Sequence, residues 1–301
     1  MTDRFRAERV GEDAHGVEHG FPHREAVRAS LTALYRRLGP TGVGRYTASV
    51  AAADVALSPG EDPLLGATRV AGVLVRHLRL PEARMVVSFR TMEHAATVEL
   101  AAGPEYFVEL NERFRARPRD IGAALAHETA HVFLHRLGLG FPDTGRNEIL
   151  TDVTTAYLGA GWLLLDAFRQ DGAESQKLGY LTPEEFGWVL AQRAELFGED
   201  PSAWFTSAVA YEAWRRGRAE AARERRLPPL AGAAWADRRR YALDRRLGRS
   251  APGAPYAFSG GPPPVSVTFA CPVCRQRLRV PTGHPLKARC RLCTTTHTCT
   301  P

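Results

Sequence analysis

Two pairs of cysteines near the end of the chain place the strongest constraint on how it can fold. Cys271 and Cys274 form the first pair, Cys290 and Cys293 form the second, and fifteen residues separate the pairs. This C-x2-C-x15-C-x2-C spacing is typical of structural zinc sites, in which four thiolates complete a tetrahedron and leave no position open for catalysis. We therefore predict that residues 265–301 form a small module that folds around one zinc ion.

This C-terminal segment resembles a zinc ribbon over residues 265–299, with LRVP as a strand between the cysteine pairs. Zinc ribbons dock substrates or partners, bind nucleic acid, or serve only as folded units; docking is favoured here, and the other two roles stay open. Basic side chains permit a nucleic-acid contact, but the segment lacks interleaved aromatic residues for stacking on single strands. The basic residues are Arg275, Arg277, Arg279, Lys287, Arg289 and Arg291.

The fifth cysteine, Cys299, stands outside the paired pattern. We expect it to be a free thiol, with His297 as a less favoured auxiliary zinc ligand. In a reducing compartment, cysteines serve metals more often than disulfides, which agrees with this interpretation.

A second constraint is the stretch AHETAHVFLH at 126–135, which holds His127, Glu128 and His131 in the order H-E-x-x-H. A helix is predicted over 118–137. Residues four apart lie on one face of a helix, so both imidazoles can point at one ion. Two neutral imidazoles can hold Zn²⁺ while the adjacent carboxylate takes a proton from zinc-bound water, which makes Glu128 the candidate general base.

A catalytic zinc needs a third protein ligand, and the next predicted helix, over 148–169, offers one. Glu148 begins this helix, seventeen residues after His131. Asp152 lies one turn further along the same face. There it could accept the N–H of a zinc-bound histidine, which would fix the orientation of that ring.

Alternatives to this ligand set stay open. Asp143, in the loop between the two helices, could replace Glu148 as the third ligand. His127 and His131 could also be an ordinary polar pair on a buried helix. His135 would extend the row of histidines by one turn, but we expect it to lie at the surface or outside the immediate site.

H-E-x-x-H followed by N-E-x-x-T-D resembles the gluzincin branch of zinc metallopeptidases, in which an N-E-x-x-S-D motif supplies the third ligand. The resemblance covers about residues 105–165. It implies a zincin-like catalytic domain, in which a small sheet lies beside an active-site helix and a glutamate helix. The implied roles are zinc ligand for His127, His131 and Glu148, general base for Glu128, and orientation of the first histidine for Asp152.

The same resemblance implies an edge strand before the active-site helix. The stretch EYFVELNERF at 105–114 has strand character, and such an edge can bind an extended substrate by β-addition. The connection between the two helices is short, and the family's motif for an oxyanion-stabilising residue is absent. Arg146, Tyr180 and Tyr211 are therefore candidates by residue type alone.

The predicted fold class is α+β, with a helical extension after the zincin-like core. Helices are expected over 24–38, 64–80, 118–137, 148–169, from 182 onward, 203–226 and 233–248, and strands over 85–92, 95–101, 105–110 and within 43–57. The predicted units are a flexible segment over 1–22, a metallopeptidase domain over 23–249 with its extension from about 172, a linker over 250–264 and the ribbon over 265–301.

The positive charge is concentrated in one part of the chain. The net charge is +7, and residues 212–249 alone hold twelve Arg against five acidic residues. We interpret this run first as solvated helix faces and second as a polyanion-binding patch. No apolar leader and no tract long enough to span a bilayer are visible, so a cytoplasmic location without a membrane partner is expected.

Together these patterns predict a zinc-dependent endopeptidase that hydrolyses cytoplasmic proteins. It would hold two zinc ions per chain, one catalytic and one structural, and would use the ribbon to dock a protein or peptide substrate or a partner. The alternative is a non-catalytic, Arg-rich regulator that binds protein or nucleic acid and keeps an inactive zincin-like scaffold.

Overall fold

The computed structural model describes residues 18–170 and 175–301, so most of the predicted flexible segment over 1–22 lies outside the described residues. Within them the chain is a mixed α+β protein with small sheets, which confirms the predicted class at that level. None of the helices in these ranges combines the length and apolar character that crossing a bilayer requires.

Three helices come first: α1 (Arg24–Val43), α2 (Ala52–Val55) and α3 (Pro63–His77). The helix predicted over 24–38 continues to Val43 with a kink, because Gly39 adopts φ 68° and ψ 172° and the helix resumes at Pro40. The strand expected within 43–57 is wrong, since this segment contains the short helix α2. Asp62 caps α3 by accepting hydrogen bonds from Leu64 and Leu65.

A three-stranded sheet follows, made of β1 (Arg84–Arg90), β2 (Ala96–Glu99) and β3 (Glu105–Asn111) in the order β1-β3-β2. β3 pairs parallel with β1 and antiparallel with β2. The expectation that 105–114 forms an edge strand is therefore wrong, because both sides of β3 are already paired. The edge that faces the next helix belongs to β2.

The two helices that carry the site residues are α4 (Ile121–Leu137) and α5 (Thr144–Tyr157), and the short α6 (Gly161–Asp166) follows them. The single helix predicted over 148–169 is broken between α5 and α6. Gly159 has φ +108°, and a Cβ on Gly161 would lie 2.3 Å from Ala156 Cα. Only glycine allows this tight turn, which brings α6 back against α4.

The helical extension begins with a small hairpin of β4 (Arg169–Gln170) and β5 (Ser175–Gln176). Helices α7 (Pro183–Phe197), α8 (Ala208–Glu224) and α9 (Trp235–Leu247) follow. The capping box at the start of α7 is present, with Thr182 and Glu185 bonding reciprocally. A Cβ on Gly217 would lie 2.1 Å from Gly187 C, so α7 and α8 pack backbone to backbone.

The C-terminal part contains an antiparallel sheet of β6 (Tyr256–Ser259), β7 (Ser266–Ala270) and β8 (Arg277–Pro281), and a hairpin of β9 (Leu286–Arg289) and β10 (Thr296–Cys299). β6 lies inside the segment predicted as a linker. Its Tyr256 and Phe258 pack against Tyr241 of α9, and this apolar contact outweighs the proline- and glycine-rich composition around it.

The cysteine-bearing module packs directly on the helices through a buried ion cluster. Glu224, at the end of α8, accepts hydrogen bonds from Arg275 at 2.6 Å, from Arg28 of α1 at 2.6 Å and from the Trp188 indole at 2.9 Å. Thr32 also donates to the Cys274 carbonyl at 2.9 Å. Contacts from α1, α7 and α8 thus converge on the module.

We expect Glu224→Gln to destabilise the protein by about 3 kcal/mol, because it leaves two arginine charges without their buried carboxylate. Burial acts to raise the pKa of Glu224, but Arg275 and Arg28 outweigh it and lower that pKa, so the side chain is charged. Chemical denaturation measures the change in unfolding free energy. The control is Glu195→Gln, a half-exposed partner of Arg225, which should change stability by less than about 1 kcal/mol. Equal effects of the two substitutions would contradict the assigned role of Glu224.

Candidate metal centres

Helix α4 presents the first three candidate residues to the interior. Nearly the whole helix is buried, and His127 and Glu128 are only 7% and 3% exposed. His131 lies one turn after His127, as the spacing predicts. The two Nε2 atoms are 3.0 Å apart, so both imidazoles converge on one point.

Helix α5 brings the carboxylate of Glu148 to that point. Its Oε2 lies 3.1 Å from His127 Nε2 and 3.3 Å from His131 Nε2. The short loop before α5 is fixed by Asn147, whose side-chain amide bonds both the N–H and the carbonyl of Phe141 at 2.6 Å. Asn147 is the first residue of the N-E-x-x-T-D stretch, but the sequence did not predict its contact with Phe141.

The far side of each imidazole has its own partner. His127 Nδ1 donates to Asp152 Oδ1 at 2.9 Å, because a carboxylate can only accept. His131 Nδ1 lies 3.3 Å from Thr151 Oγ1, whose hydroxyl donates to the Asn147 carbonyl. Both rings can therefore carry their proton on Nδ1, which leaves both Nε2 lone pairs facing the Glu148 oxygen.

Three acceptor atoms that face one another repel unless a proton or a metal ion lies between them, and the spacing fits a metal ion. Zinc bonds of 2.0–2.1 Å in a tetrahedron place two donor atoms about 3.3 Å apart. The three separations, 3.0, 3.1 and 3.3 Å, are close to that distance. His127, His131 and Glu148 form a group that could hold a metal ion.

Asp152 is itself held in place by the segment that precedes α7. Its Oδ2 accepts from the backbone N–H groups of Tyr180 at 2.5 Å and Leu181 at 3.0 Å. Gly179 has φ +91°, and a Cβ there would lie 2.6 Å from Asp152 Oδ1. Nothing in the sequence pattern pointed to Gly179, because its partner is 27 residues earlier in the chain.

Burial and hydrogen bonding shift the pKa values of His127 and Glu148. Burial opposes the charged form of His127, but its hydrogen bonds with Asp152 and Glu148 prevail and raise its pKa well above the usual value. Burial acts to raise the pKa of Glu148, but hydrogen bonds with His127 and His131 hold it far below the usual range. The site is thus built to place positive charge beside the Glu148 carboxylate.

Glu128 differs from Glu148 in its environment. Burial raises the pKa of Glu128, and the neighbouring His131 and His127 oppose this only in part. A carboxylate with a raised pKa is a stronger base than an exposed one. Glu128 therefore combines proximity to the two imidazoles with increased basicity.

We expect Asp152→Asn to weaken metal binding at this site by roughly 10- to 100-fold. An asparagine has one carbonyl oxygen, so it cannot accept from His127 and from both backbone N–H groups that Asp152 satisfies. Zinc competition with a coloured chelator measures the affinity. Thr155→Ser, which keeps the buried hydroxyl one turn further along α5, is the control. An unchanged affinity in Asp152→Asn would exclude the orienting role.

Two of the alternative candidates lie outside the group that could hold a metal ion. Asp143 is exposed and caps α5, with its Oδ1 accepting from the Arg146 N–H at 2.8 Å. His135 is also exposed, near the end of α4. Neither belongs to that group in the described residues.

The three oxyanion candidates occupy different surroundings. Tyr180 is bonded to a site residue, since its backbone N–H donates to Asp152 Oδ2, and its side chain is half-buried. Arg146 is exposed and stacks its guanidinium over Phe141 at 4.6 Å. Tyr211 is 56% exposed on α8, a helix that packs on α7 and α6.

A groove of about 190 Å³ borders the metal-binding group. Its walls include His131 and three leucines from separate segments, namely Leu100 after β2, Leu134 on α4 and Leu139 in the following loop. It runs between the sheet edge and α4, so an apolar side chain bound there would lie beside one of the two histidines that could hold a metal ion.

The four paired cysteines form the second group that could hold a metal ion, such as zinc. All four are buried, and their sulfur atoms lie within 4.8 Å of one another. Cys271 and Cys293 are 3.6 Å apart, and Cys274 and Cys290 are 3.5 Å apart. Zinc–sulfur bonds of 2.3 Å in a tetrahedron give a spacing of about 3.8 Å.

His297 lies near this group without belonging to it, and Cys299 lies in a different part of the core. His297 Nε2 is 3.2 Å from Cys271 Sγ, a distance at which an N–H can stabilise a thiolate. Cys299 is a free, buried cysteine in a separate apolar cluster with Leu230 and Tyr241.

The chain was compared with family models, curated proteins and solved structures, and none of them matches it.

Proposed function

We propose that the protein is a zinc-dependent endopeptidase of the gluzincin type that acts on cytoplasmic proteins. One observation carries this proposal: the donor atoms of His127, His131 and Glu148 meet at one point, and Glu128 is buried beside them. Within residues 18–170 and 175–301, Glu128 forms no ion pair with a lysine or arginine, and its neighbours are the two imidazoles, which favours a role in proton transfer over one in structure.

In this proposal each residue has a defined task. His127, His131 and Glu148 would hold the zinc ion, which supplies a Lewis acid that lowers the pKa of water and polarises a carbonyl. Glu128 takes a proton from the attacking water and delivers it to the leaving amine as the C–N bond breaks. Asp152 keeps His127 in the orientation that exposes Nε2. Water and one peptide bond are consumed, and one carboxylate and one amine are produced.

The substrate would lie in an extended conformation along β2. β2 is the sheet edge on the α4 side, and an added strand can bond to such an edge through its backbone. The leucines of the adjacent groove favour an apolar side chain next to the cleaved bond. Among the oxyanion candidates we favour Tyr180, since it belongs to the segment that bonds Asp152.

The test is hydrolysis of a permanently unfolded protein, reduced and alkylated, by the purified chain. Activity should disappear with a chelator, return with zinc, and be absent in His127→Ala. The control His284→Ala removes an exposed histidine and should keep full activity. Zinc analysis of the same preparations should find one ion fewer in His127→Ala. If His127→Ala keeps its zinc and the wild type does not hydrolyse the substrate, the binding regulator is the better description.

A further inference from the structure

The two arginine-rich helices of the extension differ in how their charges are neutralised. On α8, Arg215 and Arg216 pair with Glu212, and Arg223 pairs with Glu220. Arg225, which follows α8, pairs with Glu195, and Arg218 lies over the Trp214 ring. On α9, Arg239, Arg240 and Arg246 form no ion pair with any residue in 18–170 or 175–301, and the Arg239 guanidinium lies over the Trp235 ring at 5.5 Å. The charge of α9 is therefore available to a partner.

The same side of α9 also exposes large apolar side chains. Trp235, Leu243 and Leu247 are 73%, 56% and 50% exposed. With Arg239 they are spaced four residues apart, so they form one continuous ridge along the helix. We call this ridge, together with Arg240 and Arg246, the α9 outer face.

The inner side of α9 packs against the C-terminal sheet, so the α9 outer face points away from that sheet. Tyr241 is buried against Tyr256 and Phe258. Asp244 is buried and accepts from the Tyr256 hydroxyl at 2.9 Å and from the Ala251 N–H at 3.1 Å. From residue 245 to 301 the sequence contains no Asp or Glu side chain, and Asp237 is the exposed acidic residue of α9.

We propose that the α9 outer face binds single-stranded nucleic acid. A single strand carries phosphates, which match the free arginines, and it exposes base faces, which match the indole and the leucines. A duplex hides its base faces and would leave the apolar residues of the ridge in water. The helix is about 20 Å long, enough to contact several nucleotides. This function is separate from peptide hydrolysis and does not depend on it.

The test is fluorescence anisotropy of a labelled oligo-dT strand with the full chain, repeated at several salt concentrations. The triple variant Arg239→Gln/Arg240→Gln/Arg246→Gln should weaken binding by roughly 10- to 100-fold and reduce the salt slope by about two. Trp235→Ala should weaken binding by roughly tenfold, and Trp235→Phe should restore most of it, because a phenyl ring still stacks. Circular dichroism confirms that each variant is folded.

The matched control is Arg215→Gln/Arg218→Gln/Arg223→Gln, which removes the same charge from exposed positions on α8. It should leave binding within about twofold of the wild type, apart from the weak effect of net charge. Equal losses in the two triple variants would overturn the proposal, because the effect would then be one of bulk charge. Preference for a duplex, or binding to vesicles with anionic lipid but not to oligo-dT, would overturn it as well.

Discussion

Glu128→Gln should lower the rate of peptide hydrolysis by about 100- to 10,000-fold while zinc content stays unchanged. Glutamine has nearly the same shape as glutamate but cannot accept a proton from water. Glu128 is not one of the three donors that could hold the metal ion, so its replacement leaves His127, His131 and Glu148 in place. The combination of full zinc content and lost activity separates a general base from a ligand.

The measurement is the initial rate on the unfolded protein substrate, with zinc determined by elemental analysis. Glu195→Gln makes the same chemical change at a half-exposed position on α7 and should hydrolyse at the wild-type rate. Equal rates for Glu128→Gln and the wild type would exclude Glu128 as the base. A reduced rate accompanied by lost zinc would instead assign Glu128 to metal binding.

Cys271→Ser should remove one zinc ion per chain and most of the stability of the C-terminal module. Zinc contributes on the order of 10 kcal/mol to the folding of small structural sites, which is more than such a module gains from its own core. The four sulfur atoms are buried among apolar residues, so an incomplete tetrahedron also leaves unpaired polar groups in that core. Zinc stoichiometry should fall from two to one.

Cys299→Ala is the matched control, because Cys299 is equally buried but lies outside the metal-binding group. It should retain both zinc ions. Limited proteolysis measures the loss of stability of the C-terminal module. Cleavage within 250–301 should become rapid in Cys271→Ser only. Unaltered zinc content in Cys271→Ser would contradict a site made of four thiolates.

Helical spacing, the capping box and the strand character of β3 could be predicted from the sequence, because each depends only on residues close together in the chain. The spacing of His127 and His131 on a helix depends only on helical geometry, and the structure brings their Nε2 atoms within 3.0 Å. The capping box of Thr182 and Glu185 depends on four consecutive residues, and it is present. The alternation of β3 correctly indicated a strand.

Structural features that depend on contacts between distant parts of the chain could not be predicted from the sequence. The alternation of β3 does not reveal that β1 pairs with one side of it and β2 with the other, which makes it central. The turn that separates α5 from α6 requires Gly161 to approach Ala156 in three dimensions. Gly179 supports Asp152 from a segment that no local pattern connects to the site.

The contacts of Glu224 also bear on the order in which the molecule folds. Arg28 lies 196 positions before Glu224, and Arg275 lies 51 positions after it. Contacts between residues so far apart form late, because a long loop must close before they stabilise anything. The four cysteines that could hold a metal ion are close together in the chain, whereas docking of the module also requires α1, α7 and α8. We therefore expect the ion cluster around Glu224 to form late in folding, after the helices α1, α7 and α8 have assembled.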